Sequence, residues 1–242
     1  MSRSKRQQKA ERWNKGVAVT SEELPVERVI KRNAEPLVAK TENQRRYINA
    51  IKNFELVFGT GPAGTGKTYI ACAIAAEMLE SKLIEQIILT RPAQEAGEEF
   101  GALPGTLDEK YEPYLAPVRS VFEERLGKSY FEYLLKVGKI KAVPLAFMRG
   151  MTFNDSFVIL DEAQNTTTKQ MKMFLTRLGM NCKTVIDGDA EQVDISAASG
   201  LTDSIARIGY IPSVKVIQFE DDDIVRSGLV REIIKAYRSP II

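Results

Sequence analysis

The sequence predicts a three-layer α/β fold with a mostly parallel sheet, and two observations carry that expectation. Short, largely apolar runs, at residues 86–90, 157–160 and 214–219 among others, alternate with stretches of helical spacing. Strands of that kind are buried on both faces, as in parallel sheets covered by helices on each side. The second observation is a glycine-rich loop, residues 61–68, set between one such strand and the helix that follows it.

The elements follow in order. Residues 1–40 read as a basic tail and lead-in, and residues 41–242 as a single domain. Thr41 to Gln44 fits a helix N-cap with a capping glutamine three residues on, and that helix continues through Tyr47, Ile48 and Ile51. Residues 55–59 read as a strand, 67–83 as a helix and 86–90 as the next strand. Residues 91–136 begin with a middle punctuated by Pro92, Pro104, Pro113 and Pro117 and then take up helical spacing. Further strands are expected at 140–144, 157–160, 183–186 and 214–219, with helices at 168–178, 200–208 and 228–237.

Composition narrows the chemistry. The chain has 242 residues and no histidine, which excludes Ser-His-Asp and Cys-His hydrolases, imidazole zinc sites and histidine proton shuttles. Two cysteines, Cys72 and Cys182, are too few for a Cys-only zinc site or a disulfide framework. They read as buried thiols in a reducing cytosol, so the expected location is cytoplasmic. Net charge is +2. Arg3, Lys5, Arg6, Lys9, Arg12 and Lys15 stand against Glu11 at the N-terminus. That tail either holds phosphate backbones or is a solvated terminus. No apolar run approaches the roughly 18–20 residues of a membrane span.

Gly61, Pro62, Ala63, Gly64, Thr65, Gly66, Lys67 and Thr68 match G-x-x-x-x-G-K-[ST] at every fixed position. Such a loop turns backbone N–H groups inward around phosphate oxygens, and the helix N-terminus adds positive potential. Lys67 is expected on the β- and γ-phosphates and Thr68 on Mg²⁺. Residues 157–160 end in Asp161 and Glu162, at the sheet edge where open α/β sheets bind ligands. Asp161 is expected to hold Mg²⁺ through water and Glu162 to polarise the attacking water. Gln164 and Asn165, and Gln192 after the strand at 183–186, are candidate sensors of the γ-phosphate. The residues thus point to nucleotide hydrolysis. A metabolic kinase would need an acceptor pocket and lid, and the Asp-Glu pair followed by Gln-Asn suits water activation better.

The loop at 61–68, the run TRPAQEAGEEFGALPG at 90–105, VILDEAQN at 158–165, GDAEQVD at 188–194 and DIVRSGLVREIIKAY at 223–237 together resemble the PhoH-like ATPases, relatives of superfamily I helicases. The resemblance implies a RecA-like core over residues 41–238, ATP as substrate, a role with single-stranded RNA or DNA, and hexamers. It also places Gln44 where helicases read adenine, with Tyr47 a stacking neighbour, although Gln44 equally serves the capping box. Arg91 resembles a backbone-contact residue, or pairs with Glu95, Glu98 or Glu99. Arg149 lies in a further family-like motif, or is a loop arginine. Arg226 resembles the arginine that stabilises charge on the γ-phosphate, in cis or in trans, or pairs with the acidic run before it. Two departures stand out: Ser227-Gly228 where relatives often have His-Pro, and Asp187-Gly188-Asp189 where they commonly have Thr-Gly-Asp. The rival reading is an ATP-gated switch that binds a protein partner without translocating on nucleic acid.

One core per chain leaves no second lobe to supply an arginine in cis, so the expected working unit is a closed ring. Mixing Lys67→Ala subunits with Arg226→Ala subunits, each inactive alone, should restore ATPase activity through sites that pair an intact loop with an intact arginine. Full activity from a species that is monomeric by light scattering contradicts the ring.

Overall fold

The computed structural model describes residues 35–92 and 107–225, together with Gly228. Among them are six strands: β1 (Leu56–Thr60), β2 (Gln86–Thr90), β3 (Ile140–Ala142), β4 (Ser156–Leu160), β5 (Cys182–Gly188) and β6 (Val214–Gln218). All pair in parallel in the order β3-β2-β4-β5-β1-β6. Parallel pairing requires a crossover between successive strands. The helices supply most of these: α1 (Glu42–Asn53), α2 (Lys67–Glu80), α3 (Leu107–Leu126), α4 (Lys128–Lys136), α5 (Thr168–Leu175) and α6 (Gly200–Ile208).

Period-two alternation divides each strand between two cores. Phe157 and Ile159 of β4 join the layer that contains Tyr47, Ile74 and Phe122 from α1, α2 and α3. Val158 and Leu160 join the opposite layer, with Met171 and Phe174 of α5 and Leu201 of α6. The result is the three-layer α/β architecture that the apolar runs predict. Helix α2 shows why no amphipathic stripe is legible in residues 67–80. Ile70 through Ala76 are all buried, and the small side chains among them let the helix sit between the sheet and its neighbouring helices. A helix apolar all round is a buried helix.

Strand order matters most for the site. Because β5 lies between β1 and β4, the loop after β1 and the carboxylates after β4 face each other across the end of β5. Asp187 is paired in register with Gly59. A Cβ on Gly59 would meet the Tyr47 ring at 2.9 Å and crowd the Asp187 carboxylate. Glycine therefore makes room beneath the loop for a buried acid.

Several boundaries differ from the sequence expectation. The helix expected over 67–83 ends at Glu80, because Ser81 caps it and Lys82 takes φ 57°. Helix α3 runs through Pro113 and Pro117. Each proline lacks one intrahelical donor, but Leu115, Val118 and Phe122 are buried along its length, and tertiary packing overrides the local cost. At α1 the Thr41 hydroxyl accepts from Gln44 N–H at 3.2 Å, as expected, whereas the Gln44 side chain accepts from Lys40 N–H at 2.8 Å. The reciprocal half of the capping box is therefore displaced by one residue. The lead-in is not wholly separate from the domain, since Leu37 packs against the core. Cys72 is buried as expected, but Cys182 is only half-buried. The N-terminal tail, the family-like run at 90–105 from residue 93 on, and the helix expected at 228–237 apart from Gly228 lie outside the described residues. Among the described residues no helix is long and apolar enough to cross a membrane.

Candidate active site

The loop from Gly61 to Gly66 joins β1 to α2, and its backbone dictates its composition. Gly61, Gly64 and Gly66 have φ of 125°, 83° and 86°, values that side chains rarely adopt. At Gly61 there is also no space, since a Cβ would fall on the Phe219 carbonyl at the end of β6. Three contacts fix the loop from outside. Gly61 N–H donates to Gly188 O at 3.2 Å, Val225 N–H donates to Gly64 O at 3.0 Å, and Gln44 Nε2 donates to Thr65 O at 2.8 Å. Pro62 is buried and Ala63 exposed at the loop tip.

Lys67 points back into this loop. Its ammonium donates to Gly61 O at 2.7 Å and Pro62 O at 2.9 Å, and lies 3.4 Å from Thr65 Oγ1. Burial pushes its pKa down, against the pull of Asp187, Asp189, Asp161 and Glu162. Among the described residues it forms no ion pair, so a buried cation is held by neutral carbonyl oxygens. An anion entering the loop would give this charge a partner.

The next side chain, Thr68, donates through Oγ1 to Asp161 Oδ1 at 3.1 Å. The two residues expected to hold Mg²⁺, 93 positions apart, are thus in direct contact. Thr90 Oγ1 and Asp189 Oδ2 are buried and have no hydrogen-bond partner among the described residues. Thr90 sits at the end of β2, paired in register with Leu160, and Asp189 lines a cavity of about 280 Å³ beside Gly61 and Pro62. A hydroxyl–carboxylate pair of hard oxygen ligands, beside a loop built for phosphate, fits a nucleotide carrying a hard divalent cation.

Glu162 follows Asp161 in the left-handed region at φ 55°, a conformation that costs a non-glycine residue about 1–3 kcal/mol. Its Oε2 accepts from Gln164 Nε2 at 2.7 Å, and Gln164 Oε1 accepts from Asp189 N–H at 3.1 Å. One buried amide therefore joins the carboxylate after β4 to the backbone after β5. Asn165 repeats the device: its Nδ2 donates to Asp194 at 3.1 Å and its Oδ1 accepts from Asp194 N–H at 2.9 Å. Gln192, by contrast, is exposed, and its backbone N–H donates to Asp189 O at 3.0 Å.

Other expected residues are placed differently. Arg91 pairs with Asp161, a partner the sequence did not suggest, and the glutamates at 95, 98 and 99 lie outside the described residues. Tyr47 is fully buried, packs edge-on against Phe219 and donates its hydroxyl to Asp187, so its ring cannot stack on a base. The aromatic that borders open space is Tyr69, in a cavity of about 470 Å³ with Leu37, Val38, Gln44 and Gly66. The helical spacing of α2 gave no signal for it. Both ends of the Gln44 amide are engaged by backbone. Arg149 is exposed. Arg226 lies outside the described residues, directly after the Val225 that is bonded to the loop.

A glycine-rich loop between strand and buried helix, facing a strand that ends in Asp-Glu across an intervening strand, defines a P-loop nucleotide-binding protein of the RecA-like type. The large terminase of a thermophilic bacteriophage shares the fold, at a TM-score of 0.50 and 12% identity over 86% of this chain and 52% of that one. The family profile described as PhoH-like protein matches residues 36–238, and the chain belongs to that family. It is 50% identical over 200 residues to the PhoH-like protein of Bacillus subtilis, covering 82% of this chain and 63% of that one. It is 47% identical over 211 residues to the PhoH-like protein of Mycobacterium tuberculosis, covering 86% and 60%. With Protein PhoH of Escherichia coli it shares 45% over 210 residues, covering 85% and 59%. The chain thus matches about three-fifths of the length of these relatives.

The departure at Asp187 has a measurable consequence. Burial is the main cause that pushes its carboxyl up to about 8, with Asp161 and Glu162 adding to the shift and the Tyr47 hydrogen bond and Lys67 opposing it. Between about pH 4 and pH 8 the folded chain keeps a proton that the unfolded chain has released. Stability contributed by this group is therefore lost as pH rises through that window. Urea unfolding across about pH 4–8 should show this decline in the parent, and Asp187→Asn, which cannot ionise, should have a flatter profile. Parallel profiles would mean that Asp187 is ionised in the fold.

Proposed function

We propose that this chain is a Mg²⁺-dependent ATPase whose hydrolysis is coupled to single-stranded RNA or DNA, acting as a helicase-like motor or remodeller. The observation that carries the reading is the contact between Thr68 and Asp161 beneath the loop that buries Lys67. Three strand ends meet there, each bringing what phosphoryl transfer to water needs.

The loop N–H groups and Lys67 hold the β- and γ-phosphates. Thr68 and Asp161 would hold Mg²⁺, which when bound would supply neutralisation of charge on the phosphate oxygens. Glu162 accepts the proton of the attacking water, and Gln164 keeps its carboxylate oriented until then. The cavity bordered by Tyr69 and Gln44 takes the base, with Gln44 shaping its wall through the Lys40 and Thr65 backbones. Arg226, following the Val225 anchor, completes the charge around the γ-phosphate, and Gln192 reports on it from the exposed loop.

The coupling has a structural route. The turn Ala163–Asn165 leads through Thr166 and Thr167 into α5, and the segment after Asp189 leads into α6. Gly200 N–H donates to Thr166 O at 2.7 Å, so the two helices start from one joint. Between them runs a groove of about 550 Å³ lined by Thr168, Lys169, Lys172, Thr176 and Arg207. Arg207 pairs with Asp203, whereas Lys169 and Lys172 form no ion pair among the described residues. Residues four apart on a helix rise about 6 Å, so Thr168 and Lys172, with Lys169 beside them, offer donors along which a strand's phosphates can lie. A polyanion there would bear on both helices that follow the catalytic loops.

Single-stranded oligomers of about 20 U or dT should raise steady-state ATP hydrolysis, and Lys169→Glu/Lys172→Glu should weaken their binding and flatten its salt dependence. Lys67→Ala should lose nucleotide binding. Glu162→Gln should bind ATP yet hydrolyse it about 10²–10⁴-fold more slowly. Hydrolysis within about threefold of the parent in both loop and carboxylate variants overturns the ATPase assignment. Intact hydrolysis without any strand binding at low salt favours the ATP-gated switch.

A further inference from the structure

Arg91 and Asp161 leave adjacent strand ends, since β2 and β4 are neighbours with Thr90 in register with Leu160. Arg91 Nε donates to Asp161 Oδ2 at 3.0 Å, and Nη2 donates to the same oxygen. The other oxygen, Oδ1, accepts from Thr68 Oγ1 and from Glu162 N–H, each at 3.1 Å. The carboxylate is therefore divided: one oxygen faces the phosphate loop, and the other carries the guanidinium.

Three features separate this contact from a structural ion pair. Both arginine donors converge on one oxygen, whereas the strong fork-to-fork arrangement engages two. The arginine side chain keeps 26% exposure against 11% for the aspartate, so the guanidinium can return to water without unpacking the core. The charge around it is lopsided as well. Glu162 follows Asp161 directly as a second carboxylate, while Lys67 spends its donors on loop carbonyls. Among the described residues, Arg91 is the cation that forms an ion pair with Asp161.

We infer that Arg91 is a built-in counter-ion of Asp161, which a divalent cation must displace when it binds with nucleotide. This rests on the reading of Asp161 as the metal carboxylate. Displacement has a second effect, because it frees a guanidinium just past β2. Cation loading thereby exposes a phosphate-seeking group that the nucleotide-free protein conceals.

The experiment measures nucleotide binding and not turnover. Affinity for a fluorescent ADP analogue is determined with Mg²⁺ and with EDTA, and the ratio of the two reports how well the cation binds. Arg91→Ala should raise that ratio roughly three- to tenfold, Arg91→Lys should fall between, and Asp161→Asn should bring the ratio close to one. An unchanged or lower ratio in a folded Arg91→Ala protein overturns the inference. An unchanged ratio in Asp161→Asn overturns the metal-carboxylate reading beneath it. On the parent protein, the Arg91 Nε–H resonance of the ADP complex should move toward that of a solvated arginine when Mg²⁺ is added. A resonance that stays in place also overturns the inference.

Discussion

A buried ammonium held by the carbonyl oxygens of its own loop is the constraint on which the site depends. Lys67 can occupy that place only while residues 61–66 keep their turn, and the turn is secured from several directions. The end of β6 excludes any side chain at Gly61, Val225 holds Gly64 and Gln44 holds Thr65. A loop fixed in this way has its donors organised before a ligand arrives, so little ordering cost remains for binding. The same anchors join the loop to α1, to β6 and to the segment leading to Arg226, which ties the phosphate site to both ends of the described domain.

Strand order converts this loop into a site with moving consequences. With β5 set between β1 and β4, the backbone after β5 is within reach of the carboxylate after β4, and Gln164 spans the two. Glu162 is thus linked to Asp189 by one hydrogen-bonded amide, and the Asn165–Asp194 pair is a second link between the same two segments. Arg91 adds a third connection, from Asp161 to the end of β2. Each link is short, polar and next to the chemistry. Such contacts have two discrete arrangements, made or broken, which is what a nucleotide-dependent output requires.

Much of this was legible in the sequence for identifiable reasons. The loop could be read because glycine at positive φ, lysine and threonine are required at fixed spacing. The strand before Asp161 could be read because burial on both faces demands an uninterrupted apolar run. The partners of Arg91 and Tyr47 could not be read, since each lies 70 or more residues away and is set by strand order. The prolines in α3 misdirected the expectation because their local cost is outweighed by packing against α2. Tyr69 was hidden in a helix with no polar face, and the altered acid at Asp187 gave no sign that it is buried beneath Gly59.

The central claim is that the loop, Thr68, Asp161 and Glu162 form one phosphate and metal site. The most direct measurement is a crystal structure of the chain grown with Mg²⁺ and a non-hydrolysable ATP analogue. The account predicts the β- and γ-phosphates within the 61–66 loop, in contact with Lys67, and the cation beside Thr68 and Asp161 with Arg91 moved away. Phosphates seated elsewhere, or a cation remote from Asp161, would contradict it.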